Sequence, residues 1–173
     1  MNFQELYDAD LKRYGKDTSN YLKKFHYYLR KSQTTSNRFF AKYYHFQYHR
    51  LKDKNGLEID YRTKIGKGFY LGHPHNITIN ESALIGDNVN IHKGATIGRE
   101  NRGERKGAPT IGNRVWIGIN ATIVGRITIG DDVLIAPNSY VNCDVPAHSI
   151  VIGNPCRIIH SDNATKDYIN NCS

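Results

Sequence analysis

The strongest constraint in this sequence is a six-residue period that begins at residue 59 and continues to about residue 150. Branched aliphatic residues head the repeats: Ile59, Ile65 and Leu71, then Ile79, Ile85, Ile91 and Ile97, then Ile111, Ile117, Ile123, Ile129, Ile135 and Val141. Four positions after most heads stands a second small or β-branched residue, as in Ala83, Val89, Ala95, Val115, Ala121, Ile127, Val133, Ser139 and Val145. A sustained repeat of this kind determines the architecture of a chain.

A period of six fits neither an α-helix nor a hairpin sheet. At 3.6 residues per turn, successive heads would drift around a helix axis, and hairpins require alternation at period two with paired turns. Six residues instead fit one short strand and one corner. Three such sides close a coil of about eighteen residues, and stacked coils pair strand on strand about 4.8 Å apart. The sequence therefore predicts a mainly β chain folded as a parallel β-helix.

The period is broken at two places. Eight residues separate Leu71 from Ile79, and fourteen separate Ile97 from Ile111, which is two more than two repeats. Coils that keep their strands stacked must push surplus residues outward, and surface irregularities of a rigid scaffold commonly carry function. The first break contains two histidines, and the second is the basic, glycine-containing run RENRGERKGAP.

Residues 1–54 follow a different pattern, with aromatic and basic residues at helical intervals and no proline. We predict two or three helices there, interrupted near Gly15 and within the polar run at 32–37. The chain is thus divided into an α-helical N-terminal region (1–54), a β-helix domain (55–160) and a C-terminal tail (161–173). The N-terminal region is expected either to cap the first coil or to dock a lipid-linked acceptor at a membrane surface.

Composition narrows the class of protein. The formal net charge of +8 favours anionic partners and allows a peripheral membrane contact, although no nucleic-acid partner is predicted. The chain has no run long and apolar enough to span a bilayer and no leader at its start, which indicates a cytoplasmic protein. Three cysteines without metal-ligand spacing indicate reduced thiols. His45 and His49 are four residues apart, but a plain helix face explains them better than a metal site.

Two stretches identify a family resemblance. VWIGINATIVGRITIGDDVLIAPNSYV and VPAHSIVIGNPCRII resemble the hexapeptide-repeat acyltransferases, whose β-helix is left-handed. Within them the chain is most similar to the serine acetyltransferases and to relatives that O-acetylate sugars of bacterial polysaccharides. The resemblance covers about residues 55–160, and it implies a homotrimer, with a hexamer as the alternative, that uses acetyl-CoA as acetyl donor, without a metal.

The resemblance also assigns a general base. The serine enzymes carry G-x-F-x-D-H-A-T-G, and GFYLGHPHN places His73 at the catalytic histidine and His75 at the threonine. An imidazole can take the proton of a hydroxyl nucleophile near neutral pH. Gly72 stands where these enzymes have an acidic residue, and their R-H-P is G-A-P at 107–109. Since both losses remove groups that would bind the charged ends of serine, the sequence predicts a sugar hydroxyl as acceptor and a role in polysaccharide biosynthesis. Serine O-acetylation and a non-catalytic scaffold are the alternatives.

The remaining site residues are also implied by the resemblance. The predicted cofactor-binding residues are Gly98, Trp116, Gly118, Ala136, Pro137 and Arg157, and the predicted substrate-binding residues are His75, Arg102, Arg105 and Lys106. The loop at 99–109 is expected to be a mobile arm over the substrate cleft. Trp116 is expected either to cover the thioester or to seal a subunit interface. His92 and His148 are interpreted as structural, and no acyl-enzyme is expected because no cysteine is paired with a histidine.

Overall fold

The computed structural model describes residues 2–172. Three helices come first: α1 (Phe3–Lys12), α2 (Asn20–Thr34) and α3 (Arg38–Lys54), with a short 3₁₀ turn at Gly15–Asp17 between the first two. Asn2, Ser19 and Asn37 cap the three helices through side-chain oxygens that accept backbone N–H groups. The predicted interruptions near Gly15 and at 32–37 are therefore found.

Within the described residues, fifteen short strands follow and form three faces of a prism. Face A contains β1 (Glu58–Ile59), β4 (Thr78–Ile79), β7 (Thr96–Gly98), β10 (Thr122–Val124) and β13 (Tyr140–Val141). Face B contains β2 (Lys64–Ile65), β5 (Leu84–Ile85), β8 (Thr110–Ile111) and β11 (Thr128–Ile129). Face C contains β3 (Tyr70–Gly72), β6 (Asn90–His92), β9 (Val115–Ile117), β12 (Val133–Ile135), β14 (Ser149–Ile152) and β15 (Arg157–His160). All pairs are parallel except β14 with β15, and the predicted parallel β-helix is confirmed.

The repeat heads form the core. Each head pairs with the head of the next coil, as in the register Ile59, Ile79, Ile97, Ile123 and Val141 on face A. Every predicted head is buried, and so are the small residues that follow four positions later. The interior of the β-helix is therefore a stack of aliphatic side chains that exclude water.

The two breaks in the period lie at different corners of the prism. Heads on successive coils are normally eighteen residues apart, but Ile59 pairs with Ile79, so the first coil carries two surplus residues. They lie in the turn from face C to face A, which we call the CA corner. Ile97 pairs with Ile123, a coil of twenty-six residues. Its eight surplus residues lie in one turn from face A to face B, the AB corner. The interval of fourteen is therefore one repeat plus eight residues, and its interpretation as two repeats plus two is wrong.

The helices cover the open end of the first coil, in agreement with the capping alternative. Phe25, Leu29 and Tyr48 belong to the same buried cluster as the first heads. Polar side chains of the helices bind backbone groups that a preceding coil would otherwise bind. The bonds run from Arg30 to the carbonyls of Ile65 and Gly66, from Arg13 to Gly68 O, from Tyr48 to Ile59 O, from Phe69 N to Asp10, and from Leu71 N to Tyr14.

The other end is closed by β15, which folds back antiparallel onto β14. The chain then returns along face C. Asp132 accepts hydrogen bonds from Ala164 N and from the backbone and hydroxyl of Thr165, and Asn90 donates to Tyr168 O. Residues 161–172 therefore form a strap over face C that reaches α1, where Lys12 donates to Cys172 O over 2.7 Å. Within residues 2–172, no helix combines the length and apolar character that crossing a membrane requires.

Candidate active site

His73 lies at the CA corner of the first coil, immediately after β3. Its side chain is exposed, and its backbone has a left-handed φ of +52°, a conformation that non-glycine residues seldom adopt. The carbonyl of His73 accepts a hydrogen bond from His75 N over 2.7 Å, which closes the tight turn made by the surplus residues. The break in the period thus presents an imidazole to solvent on a hydrogen-bonded turn.

Gly72 is explained by its neighbour in the second coil. Gly72 and His92 are partners in the register of β3 and β6, and a Cβ atom at position 72 would collide with the His92 imidazole. Burial lowers the pKa of His92 to about 4, with the charge of His73 as the second cause, so this ring is neutral at neutral pH. Its Nε2 is buried and has no hydrogen-bond partner within the described residues. The sequence indicates only a structural role for His92, although its separation of one twenty-residue coil from Gly72 is the signal that places the two residues side by side.

Trp116 lies beside His92 on the outside of face C, where its register partner in β6 is Asn90. Its ring lies 4.7 Å from that of His92 and 5.1 Å from that of Tyr168, measured between centroids. Tyr168 belongs to the strap, so Trp116 is held between the second coil and the strap within one chain. A contact between Trp116 and a thioester or a neighbouring subunit stays a prediction.

Three other predicted cofactor-binding residues share the CA corner with His73. Gly118 follows β9, while Ala136 and Pro137 follow β12. A Cβ atom at Gly118 would come within 2.6 Å of Pro137 N, so the coils approach closely here and leave little side-chain bulk.

The AB corner holds Gly98 and the basic loop. Glu100 and Gly107 exchange two backbone hydrogen bonds of 2.9 Å, which closes the loop at its base. Arg126 of the next coil donates to Arg105 O through its backbone N–H and to Glu104 O through its side chain. The expected mobile arm is therefore a hairpin that is bonded to the coil beneath it.

The predicted substrate-binding cations lie on this hairpin. The side chains of Arg102, Arg105 and Lys106 are exposed, and they lie on a different edge of the prism from His73 and His75. Arg157 is exposed in β15 at the far end of face C. A single chain does not bring these cations to His73.

His45 and His148 have structural contacts. His45 stacks on Tyr61 with ring centroids 3.9 Å apart, and His148 Nδ1 lies 2.9 Å from Asp132 Oδ2. Among the described residues, no cluster of three or more histidine, cysteine, aspartate or glutamate side chains could hold a metal ion.

Known proteins similar to this chain share both the repeat and the fold. Residues 108–143 match the family described as bacterial transferase hexapeptide (six repeats). Over 107 residues the chain is 39% identical to a serine acetyltransferase of Helicobacter pylori, covering 62% of this chain and 63% of that protein. It is 39% identical over 110 residues to serine acetyltransferase 4 of Arabidopsis thaliana, covering 64% of this chain and 31% of that protein. The chain thus spans less than two thirds of the length of these curated relatives.

A solved structure extends the likeness to most of the chain. The serine acetyltransferase of Neisseria gonorrhoeae in complex with serine superposes with a TM-score of 0.70 at 27% identity, covering 91% of this chain and 69% of that one. The predicted resemblance to the hexapeptide-repeat acyltransferases is confirmed.

The prediction of a sugar acceptor is wrong, and so is the predicted role in polysaccharide biosynthesis. The similar proteins are serine acetyltransferases, and the Neisseria structure carries serine. The structure supplies another reason for the two departures that suggested a sugar. Gly72 makes room for His92, while Gly107, at a φ of +138°, lies against Arg126 at the base of the hairpin. The two glycines therefore have packing reasons of their own, and their presence does not identify the acceptor.

Proposed function

We propose that this hexapeptide-repeat protein is a serine O-acetyltransferase that moves the acetyl group of acetyl-CoA to the hydroxyl of L-serine. The observation that carries the proposal is the fold shared with the serine-bound Neisseria enzyme over 91% of this chain. The exposed imidazole of His73, on the turn made by the surplus residues, supplies a suitable base. A cytoplasmic location remains our expectation for this enzyme.

The proposed reaction is a direct transfer with His73 as general base. His73 takes the proton of the serine hydroxyl while the oxygen attacks the thioester carbonyl, and backbone N–H groups stabilise the oxyanion that forms. Collapse of the tetrahedral intermediate breaks the carbon–sulfur bond, and the imidazolium returns its proton to the departing thiolate. The enzyme ends unchanged, with O-acetylserine and free CoA as products.

We further propose that the complete site forms between chains of a homotrimer. His73, Gly118, Ala136 and Pro137 lie at the CA corner, whereas Gly98, Arg102, Arg105 and Lys106 lie at the AB corner of the same prism. Two edges of one prism cannot face each other, but the CA corner of one chain can face the AB corner of the next. In that arrangement the hairpin cations of one chain would meet anionic groups of a ligand bound beside the His73 of its neighbour.

The test follows CoA release from acetyl-CoA with L-serine as acceptor, for the wild type, His73→Asn and His75→Asn. Asparagine is chosen because it tolerates the left-handed backbone of His73. We expect His73→Asn to lower kcat by about 10²- to 10⁴-fold, the usual contribution of a general base, with an unchanged unfolding midpoint. His75→Asn tests the predicted substrate-binding residue on the same turn, and we expect it to raise KM for L-serine while leaving kcat largely unchanged.

Two results would contradict this assignment. If the wild type releases no CoA with L-serine, the proposed activity is wrong, and a scaffold role regains support. If His73→Asn keeps the full rate, another group is the base.

A further inference from the structure

The outward face of α3 is an exposed aromatic stripe. Phe39, Tyr43 and Phe46 are spaced by four and three residues, so they lie along one side of the helix. They are 87%, 50% and 60% exposed, respectively, and Phe40 beside them is 59% exposed. The only fully buried side chain of α3 is that of Tyr48. Single exposed apolar residues are common, but a contiguous aromatic stripe marks an interaction surface.

Positive charge surrounds this stripe. Between residues 20 and 54 the sequence has nine lysines and arginines and one acidic residue, Asp53, and eight of these cations are at least partly exposed, since Arg30 is buried against Asp10. Arg50 continues the stripe one turn beyond Phe46, with its guanidinium carbon 5.8 Å from the centre of that ring. Lys42 lies beside the stripe on the same helix. A groove between α2 and α3 is lined by Lys24, Tyr28, Gln47, Arg50, Leu51 and Lys54, so three cations converge beside the aromatic face.

The positive charge around the stripe determines which kind of partner can bind this face of α3. A second copy bound through the same face by a two-fold axis would place these cations against their own images. A nucleic acid would match the cations, but its grooves do not require a 17-residue helix with aromatic rings in a continuous row. An anionic bilayer surface matches both features, because aromatic rings partition to the interface while lysine and arginine contact acidic headgroups.

We propose that the α3 face formed by Phe39, Phe40, Tyr43, Phe46, Lys42 and Arg50 docks this protein on an anionic membrane surface. The helix lies along the surface, with its aromatic rings at the headgroup boundary and its cations among the acidic headgroups. Since α2 and α3 cover the first coil, docking holds that end of the β-helix towards the membrane. This binding is independent of catalysis and is measured without acetyl-CoA or serine.

The experiment is co-sedimentation of the full chain with vesicles of phosphatidylcholine containing about 30% phosphatidylglycerol. We expect binding to these vesicles to be at least tenfold stronger than to pure phosphatidylcholine, and to weaken with added salt. Phe39→Ser combined with Phe46→Ser should lower binding at least tenfold, as should Lys42→Gln with Arg50→Gln. The matched control, Lys64→Gln with Lys166→Gln, removes the same charge from exposed sites elsewhere and should retain most of the binding.

A fluorescent variant tests the geometry directly. The only tryptophan, Trp116, lies in the β-helix, so the wild type should show little change in emission with vesicles, whereas Phe46→Trp should shift to the blue. Far-UV circular dichroism and the unfolding midpoint establish that each variant is folded.

Five outcomes would overturn the proposal, four of which concern vesicles and oligomeric state and one a nucleic acid. The first four are no binding to anionic vesicles, equal loss of binding in the matched control, no blue shift for Phe46→Trp, and a change of oligomeric state in the double serine variant without any change in vesicle binding. The fourth of these would assign the face to a second copy. Preferential, aromatic-dependent binding of a single-stranded oligonucleotide would assign it to nucleic acid.

Discussion

The two ends of the β-helix are closed in different ways. At the first coil, charged and polar side chains of three helices bind the free backbone groups of the strands. At the last coil, one antiparallel strand covers part of face C, and Ile152, Ile158 and Ile159 remain substantially exposed. An open strand edge must be covered or blunted to prevent association with other strands. The comparison shows that side chains can take the place of a neighbouring coil in binding the backbone of the first coil, provided that ion pairs hold those side chains in position.

Asp10 is the centre of the helical closure. Its buried carboxylate accepts from Arg30 Nε, Arg30 Nη2, His26 Nδ1 and Phe69 N. Burial by itself would raise the pKa of Asp10, but Arg30 and His26 outweigh burial and hold the pKa below its usual value. At the opposite end Asp132 also has a lowered pKa, because bonds from Thr165 and His148 outweigh its burial. His148 is partly exposed. The group formed by Asp132 and His148 is therefore less deeply buried than the group formed by Asp10, His26 and Arg30.

The largest effect is expected at the helical closure. Asp10→Ala leaves Arg30 and His26 buried without their partner, so the free energy of unfolding should fall by about 3–5 kcal/mol. Urea unfolding followed by circular dichroism measures this change. Asp8→Ala on the exposed side of α1 is the control and should change the free energy by less than about 0.5 kcal/mol. A loss below about 1 kcal/mol for Asp10→Ala would show that the ion pairs do not hold the cap.

The same carboxylate predicts a pH dependence. Since the pKa of Asp10 is lower in the folded state, its contribution is present above the usual value of 3.8 and is lost as pH falls below it. The Asp10→Ala variant should lack this part of the acid sensitivity.

An intermediate effect is expected at the strap. Thr165→Val removes the hydroxyl that donates to Asp132 Oδ1 over 2.6 Å, at a site where the residue is buried, so unfolding should become easier by about 1–3 kcal/mol. Because Tyr168 packs on Trp116, loosening of the strap should also shift the tryptophan emission to the red. Thr110→Val, on an exposed strand position of face B, is the control. If emission and stability match those of the wild type, the strap is not held at Asp132.

The smallest effect is expected in β15. Ile159 is half exposed, so Ile159→Thr should change the free energy of unfolding by less than about 0.5 kcal/mol. The same substitution at the buried core position Ile117 should cost several times more, because it places a hydroxyl among aliphatic side chains. A loss above about 1 kcal/mol for Ile159→Thr would mean that this end is covered more completely than the isolated chain shows.

The repeat made the fold predictable, because every head from Ile59 to Val141 has the same environment and one coil determines the next. It also located His73 and the basic hairpin as outward breaks. The sequence did not reveal that the interval from Ile97 to Ile111 spans a single corner. Fourteen residues can be divided either into two repeats plus two residues or into one repeat plus eight, and the period alone does not distinguish the two.

Contacts between coils were harder to predict than positions within a coil. The collision that excludes a side chain at Gly72 arises from His92 in the next coil, and the role of Arg30 arises from carbonyls thirty-five residues away. The sequence therefore suggests that a substrate contact is lost at Gly72, whereas the structure shows that the His92 ring leaves no room for a side chain there. The acceptor class was predicted wrongly for this reason.

The strap has a consequence for the way this molecule unfolds. A stack of repeats behaves as a one-dimensional array in which each unit contacts only its neighbours, so it can fray one unit at a time. Here residues 161–172 connect the far end of the stack with α1, through Arg13 to Asn170 O and Lys12 to Cys172 O. The array is thereby closed into a ring of contacts, and neither end can fray without breaking the bonds that hold the other.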